Sequence, residues 1–130
     1  MPARGETDLV KMLAGLAVTR RDGVFTFVAV REPTPALVAR AHGVVREADA
    51  TTLVLPVDVA TDHGLPVTVE MAWLTLTVQS SLEAVGLTAA FSRMLGDAGI
   101  PCNVLAGHDH DHILVPVRDA DAAVAALTAP

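Results

Sequence analysis

Hydrophobic and polar positions in the second half of the chain change from strand spacing to helical spacing within a few residues. Residues 71–78, "MAWLTLTV", place Trp73 and Thr75 on one face and carry apolar side chains on both, which predicts a largely buried strand. Residues 80–100 then follow a helical period, and Gly99 predicts the end of that helix. Beyond it the pattern predicts a strand over 101–107, a strand over 113–117 and an Ala-rich helix over 118–129.

The first half shows a similar order of elements with weaker signals. The pattern predicts, in chain order, a helix over 6–17, a strand over 24–30, a proline-broken loop over 31–41 with room for one helical turn, strands over 43–47 and 52–57, and a short helix over 58–63. Gly64 stands where the C-cap of that last helix is expected.

The order of the elements predicts the fold class. Strands and helices mixed in this way are typical of an α+β fold, here a tandem duplication of ferredoxin-like βαββαβ units with antiparallel sheets and helices on one face. We expect an N-terminal unit over 1–66 and a C-terminal unit over 67–130. The N-terminal unit is expected to be degenerate, because prolines interrupt the connection between its first two strands.

Composition narrows the classes of function. The net charge is −6 and only 3% of the residues are aromatic, whereas phosphate binding needs basic surface and base stacking needs aromatic side chains, so we expect no nucleic-acid partner. Charges, Gly and Pro interrupt every apolar run short of the ~20 residues that a membrane helix needs, so we expect no membrane partner. The single cysteine, Cys102, cannot form an internal disulfide, which fits a cytoplasmic protein. No nucleotide fingerprint or phosphate-binding loop occurs, so no cofactor is expected.

Residues 106–117, "AGHDHDHILVPV", carry the densest group of ionisable side chains in the chain. In an extended strand His108, His110 and His112 would share one face at a spacing of about 6.5 to 7 Å. Three histidines can bind Zn²⁺, although a bent backbone would be needed to bring these three to one ion. Two other interpretations stay open: a hairpin in which His and Asp side chains bond to turn amides, and ligand contacts made by His110, Asp111 and His112.

Five segments of the chain together carry a resemblance to a known family. They are "GETDLVKMLAGL", "TLVLP", "TLTVQSSLEAVGLTAA", "AGIPCNV" and the "HDH" that precedes "VPV", in this order. The pattern resembles small stand-alone bacterial proteins built from two ACT-like halves. It is also similar to the regulatory ACT domains of aspartate kinases and, more distantly, to the cytosolic arginine sensors of animals. The resemblance covers essentially the full length.

The resemblance implies a non-catalytic regulatory or sensor protein that binds a small molecule, generally an amino acid, and that forms a homodimer. It implies ligand contacts in the strand-to-helix loop, at the following strand and in the hairpin, by Ser80, Ser81, Leu82, Glu83, Val85, Gly86, Leu87, Asn103, His110, Asp111 and His112. The residues of the loop and helix start are consistent with such a site, because free N–H groups at a helix start suit a ligand carboxylate. The plainer interpretation is that Ser80 or Ser81 caps the helix and that Gly86 serves helix packing.

Other classes of function remain as alternatives. Ser80, Ser81, His110 and Asp111 supply the residue types of a nucleophile, a base and an orienting group, but without a spacing known for catalysis and without a G-x-S-x-G turn. We therefore expect no enzyme activity. A module that pairs without any ligand fits the apolar, β-rich composition, and a metal-binding protein built on the histidine cluster is a further alternative.

Overall fold

The computed structural model describes residues 16–77 and 86–128. The strands in chain order are β1 (Ala17–Arg20), β2 (Phe25–Val30), β3 (Gly43–Arg46), β4 (Thr51–Pro56), β5 (Met71–Thr77), β6 (Asn103–Ala106) and β7 (Asp111–Pro116). The helices are α1 (Pro35–Arg40), α2 (Val57–Asp62), α3 (Leu87–Asp97) and α4 (Ala120–Thr128), and a 3-10 turn (Val117–Asp119) leads into α4. These elements form two compact units, one over Asp22–Ala72 and one that joins the described residues up to Arg21 with Trp73 and those that follow it.

The Asp22–Ala72 unit contains three antiparallel strands in the order β3–β4–β2, and Met71 pairs with Phe25 of β2. Its core is formed by apolar side chains from both central strands and both helices: Val28, Leu37, Leu53, Leu55, Val59 and Ala60. Complete burial of a Val or Leu side chain contributes about 1.5–3 kcal/mol. This small set of contacts therefore holds the two short helices on the sheet.

Helix α1 forms inside the segment where prolines predicted a loop. Thr34 stands at the N-cap, and its hydroxyl accepts a hydrogen bond from the Leu37 N–H at 3.2 Å. Pro35 occupies the first helical position, where its missing N–H costs nothing and its fixed φ suits the helix. The helical turn allowed by the sequence is thus a complete, capped helix of 6 residues.

The second unit takes its strands from both sides of the first one in the sequence. β5, β7 and β6 are neighbours in that order, and β1 pairs antiparallel with β5, for example Val18 with Leu76. Helix α3 contacts α4, and each helix buries one stripe of side chains: Leu87, Phe91 and Leu95 in α3, and Ala120, Ala123 and Leu127 in α4. β1 thus adds a fourth strand to β5, β6 and β7, although it comes first in the sequence.

The prediction of an α+β fold with ferredoxin-like units is confirmed, whereas the predicted helix over 6–17 falls mostly on residues outside the described ranges. Its last residue, Ala17, is instead the first residue of β1. The strand forms because the short, β-branched Val18–Thr19 segment finds partners on β5. None of the helices in the described ranges is long and apolar enough to cross a membrane.

Candidate functional site

The start of helix α3 is organised around Gly86. Its φ of 93° and ψ of −11° lie in the left-handed region, which glycine adopts without the steric cost of a β-carbon. The Gly86 carbonyl accepts the hydrogen bond of the Ala90 N–H at 2.9 Å and so begins the helical ladder. The next residue, Leu87, is buried on the inner stripe of the helix. Gly86 therefore sets the entry angle of the chain into α3.

A groove of about 590 Å³ lies against the opposite side of α3. It is lined by Gly86, Ala89, Ala90, Arg93, Met94 and Asp97. All six of these described residues lie on or next to α3, so the groove is an open depression along one helix face. The alanines supply the room because their side chains end at the β-carbon, while Arg93 and Asp97 are exposed and place two opposite charges at the rim. We call this feature the α3 groove.

Asn103, a predicted site residue, begins β6 and is exposed. Its Nδ2 donates a hydrogen bond to the Leu114 carbonyl at 3.4 Å, across the pair of strands in which these two residues are partners. The contact holds the end of the β6–β7 pair together. A ligand contact by Asn103 stays a prediction.

The hairpin between β6 and β7 carries the three histidines of the predicted cluster, His108, His110 and His112. It is closed by a hydrogen bond from the Gly107 N–H to the His110 carbonyl at 2.9 Å. His108 Nδ1 and Asp109 Oδ1 lie 3.0 Å apart on the exposed tip, and His110 is exposed as well. Within residues 16–77 and 86–128, no three His, Cys, Asp or Glu side chains lie close enough together to hold a metal ion.

His112 is the one histidine of the hairpin that turns inward. Its Nδ1 lies 3.2 Å from Trp73 Nε1 and 3.0 Å from Thr75 Oγ1, so it joins β7 to β5. The indole N–H can only donate, so Nδ1 must accept, and the ring is neutral with its proton on Nε2. The Arg21 guanidinium stands 4.1 Å from the centre of the Trp73 ring, at cation–π distance.

The surroundings of His112 oppose a positive charge on the ring. Burial lowers the pKa of His112 below the ordinary 6.5, and the positive charge of Arg21 and the proximity of His110 lower this pKa further, while Asp111 partly opposes them. Gly107 makes room for the ring, since a β-carbon there would lie 3.1 Å from His112 Nε2. His112 is thus held as a neutral hydrogen-bond acceptor.

The predicted site residues divide into separate groups. Ser80, Ser81, Leu82, Glu83 and Val85 lie outside the described residues. Gly86 and Leu87 stand at the start of α3, and no described contact links them to the hairpin. His112 forms its own cluster with Arg21, Trp73 and Thr75.

Sequence reasoning missed several residues of these features. The alternation in 71–78 had placed Trp73 and Thr75 on one face, which was the available signal for the partners of His112. Ala89, Ala90 and Met94 line the groove, but small and apolar side chains at helical spacing fit a packed stripe equally well. Arg93 and Asp97, four residues apart, carried the helical spacing that would have indicated a shared face.

Comparison with known proteins identifies the family to which the chain belongs. Two family models, both described as ACT domain, match the chain, one over residues 68–129 and the other over residues 4–72. The chain therefore belongs to the ACT domain family. No curated protein sequence matches it significantly.

Several solved structures are similar to this chain. A protein of unknown function from Vibrio cholerae, described as a possible transport protein, is 36% identical over 95% of each chain, with a TM-score of 0.86. The aspartate kinase of Clostridium acetobutylicum is 12% identical over 88% of this chain and 33% of that one, with a TM-score of 0.62. The regulatory subunit of aspartate kinase from Thermus thermophilus is 11% identical over 89% of this chain and 95% of that one, with a TM-score of 0.60. At such low identity, the likeness to the two kinase structures shows a shared fold and nothing more.

Proposed function

We propose that this protein is a non-catalytic regulatory sensor that binds an amino acid in the α3 groove. The observation that carries the proposal is the α3 groove, which adjoins Gly86 in the half of the chain that matches an ACT domain model. ACT domains commonly bind amino acids for regulation. The aspartate kinase neighbours, one of them named as an allosteric enzyme, support a regulatory role for the fold.

The chemistry of the groove suits a small polar ligand. Arg93 and Asp97 stand at its rim with opposite charges, which suit the carboxylate and the ammonium of such a ligand. The small side chains of Ala89 and Ala90 leave apolar wall for the rest of the ligand.

A non-catalytic role is supported by the state of His112. General-base catalysis needs a nitrogen lone pair that is free to take a proton. The acceptor nitrogen of His112 faces both the Trp73 N–H and the Thr75 hydroxyl. The ring therefore serves as a structural acceptor between two strands.

A homodimer is part of the proposal, and assembly without a ligand is the second candidate function. β3 and β6 each pair with one strand only in the described sheet and so leave one edge open. Val44, Val45 and Val104 on these edges are 43%, 46% and 37% exposed. Open edges with apolar side chains are surfaces on which strands of a second chain can add. We also propose a cytoplasmic location, which the free Cys102 supports.

The test is a thermal-shift and calorimetric screen of the purified protein against the twenty amino acids. A ligand that binds only the native state raises the melting temperature by mass action. Ala89→Leu fills the groove with a side chain that the helix tolerates, and we expect it to abolish the shift. Ala125→Leu on the exposed side of α4 is the matched control and should keep it. Gly86→Val is a poorer test because its positive φ strains any other residue.

Size-exclusion chromatography with light scattering, run on the same samples, separates the two candidate functions. An amino-acid shift that is lost only in Ala89→Leu supports the sensor. A stable dimer that no amino acid stabilises would replace the sensor with the assembly module.

A further inference from the structure

We infer that Arg93 and Asp97 form a charge-pair clamp for the main-chain groups of an α-amino acid with an apolar side chain. In this arrangement Arg93 takes the carboxylate, Asp97 takes the ammonium, and the ligand side chain lies against Ala89, Ala90 and Met94. The inference rests on the proposed function and adds the residues that select the ligand class.

The spacing of the two charges fits the ligand. Residues four positions apart on a helix are neighbours, with β-carbons about 5–6 Å apart. Both side chains line the α3 groove and both are exposed. No ion pair found among the described residues involves either of them. Their charged ends are therefore available on the same side of the helix as the apolar wall.

Asp97 stands at an unfavourable place unless a cation joins it. It is the last residue of α3, where the helix dipole is negative and a carboxylate is disfavoured. The last turn of α3 contains no basic residue to offset it. Asp62 ends α2 in the same way, but Asp97 also lines the α3 groove together with Arg93. An ammonium group at Asp97 would neutralise the carboxylate and also suit the negative helix end.

An Arg93–Asp97 pair by itself is a weak substitute for that cation. The order in which the basic residue precedes the acidic one by four positions is the poorer of the two orientations on a helix. A guanidinium also binds a carboxylate best through two parallel hydrogen bonds, and the carboxylate of a free ligand can take up that geometry. Both side chains can therefore exchange a weak mutual contact for contacts with a zwitterion.

The groove between the charges sets the side-chain preference. Ala89, Ala90 and Met94 offer carbon and thioether surface, and Met94 adapts its shape through three rotatable bonds. An acidic ligand side chain would add a second carboxylate, and the described lining of the groove offers no second cation to bind it. We therefore expect preference for L-leucine and similar residues over L-aspartate and L-glutamate.

The experiment measures calorimetric affinity for L-leucine, leucinamide and N-acetyl-L-leucine. The amide lacks the carboxylate and the acetyl derivative lacks the ammonium. Loss of a charge-assisted contact weakens binding by about tenfold or more, so both analogues should bind at least that much more weakly than L-leucine. Arg93→Gln should abolish the difference between L-leucine and leucinamide. Asp97→Asn should abolish the difference between L-leucine and N-acetyl-L-leucine.

Matched controls and stability measurements separate binding from folding. Arg40→Gln, in the last turn of α1, and Asp62→Asn, at the last residue of α2, should leave all three affinities unchanged. Asp97→Asn should also raise the melting temperature of the ligand-free protein slightly, since it removes a carboxylate from a negative helix end. Binding of L-leucine that is unchanged in Arg93→Gln and Asp97→Asn, or preference for an acidic amino acid, would overturn the clamp alone. Absence of a response to all twenty amino acids would overturn the proposed function as well.

Discussion

The β3–β4 and β6–β7 hairpins are the same structure built twice, and they differ at one informative position. β4 and β7 each have six residues with the same burial order, and each ends in a proline that leads directly into a helical turn. The second residue of β4 is Thr52, whose hydroxyl donates to Glu47 within its own hairpin. The second residue of β7 is His112, which instead bonds to Trp73 and Thr75 on the neighbouring strand.

The comparison separates the features that both hairpins share from a contact made by the β6–β7 hairpin. Both copies keep the buried Leu-Val-Leu or Ile-Leu-Val core of the strand. Among the described contacts, the β6–β7 hairpin is tied to β5 through the side chain of His112, and the β3–β4 hairpin shows no matching tie to its neighbouring strand. The two hairpins therefore share a frame and differ in this one contact.

The largest effect is expected where the two copies are most alike. Leu53 and Ile113 occupy the same place in the two strands, and both are 0% exposed. Leu53→Ala and Ile113→Ala should each lower the free energy of unfolding by about 2–5 kcal/mol, because each leaves a cavity in a core. Urea unfolding followed by circular dichroism measures both. A loss below about 1 kcal/mol at one position would show that the two cores are not equivalent.

The next effect should appear at the turn that positions His112. A β-carbon on Gly107 would lie 2.8 Å from the His110 carbonyl oxygen, which is backbone and cannot move aside cheaply. We expect Gly107→Ala to cost about 1–3 kcal/mol of unfolding free energy, measured by urea unfolding. Gly96→Ala is the control, because nothing lies within 4 Å of its added β-carbon. That control should stabilise α3 by about 0.4–1 kcal/mol, since alanine has less freedom to lose on folding.

A pH titration of stability should distinguish the two hairpins. The folded pKa of His112 is lowered below the 6.5 of the unfolded chain, so the unfolded state takes up the proton first as the pH falls. The contribution of neutral His112 is complete above pH 6.5 and declines below it until the pH passes the lowered folded pKa. His112→Gln keeps an acceptor for Trp73 without titrating. Melting temperatures of the two proteins between pH 8 and pH 5 should diverge below pH 6.5, and parallel curves would remove the role assigned to His112.

The smallest effect concerns the two threonine hydroxyls of the comparison. Thr75→Val deletes a hydroxyl that meets the half-buried His112, and we expect a loss of about 0.5–1.5 kcal/mol. Thr52→Val deletes a bond to the exposed Glu47, whose carboxylate can turn to water, so its loss should be smaller. Both changes keep the shape of the side chain, and chemical denaturation compares them directly. A larger loss at Thr52 would reverse the ranking of the two hairpins.

Much of the fold could be predicted from local signals. The strand predicted over 24–30 is Phe25–Val30, and the helix predicted to stop before Gly99 ends at Asp97. Gly99 has a φ of 73° and follows the C-cap Ala98, as a glycine stop signal requires. Such features depend on hydrophobic period and on turn chemistry within a few residues, so a single sequence carries them.

The candidate site was less accessible to sequence reasoning. Asn103 and His112 were predicted to contact a ligand, which stays a prediction. Their hydrogen-bond partners in the fold, Leu114 for Asn103 and Trp73 and Thr75 for His112, are 11, 39 and 37 residues away. The α3 groove was missed because a stripe of Ala and Met fits a packed face as well as an open one. Burial of Leu87, Phe91 and Leu95 on the other side was what decided between them.

The sequence by itself determined the order of strands and helices from β2 onward, apart from the full extent of α1, the turns at glycine and proline, and the resemblance to a family with two similar halves. These follow from side-chain period and backbone preference, which act over short distances. The tertiary structure alone decided that Val18 and Thr19 form a strand, that His112 is a neutral acceptor, and that Arg93 and Asp97 border a groove. In each case the outcome depends on an atom brought near by folding, because pairing, burial and charge interactions act through space.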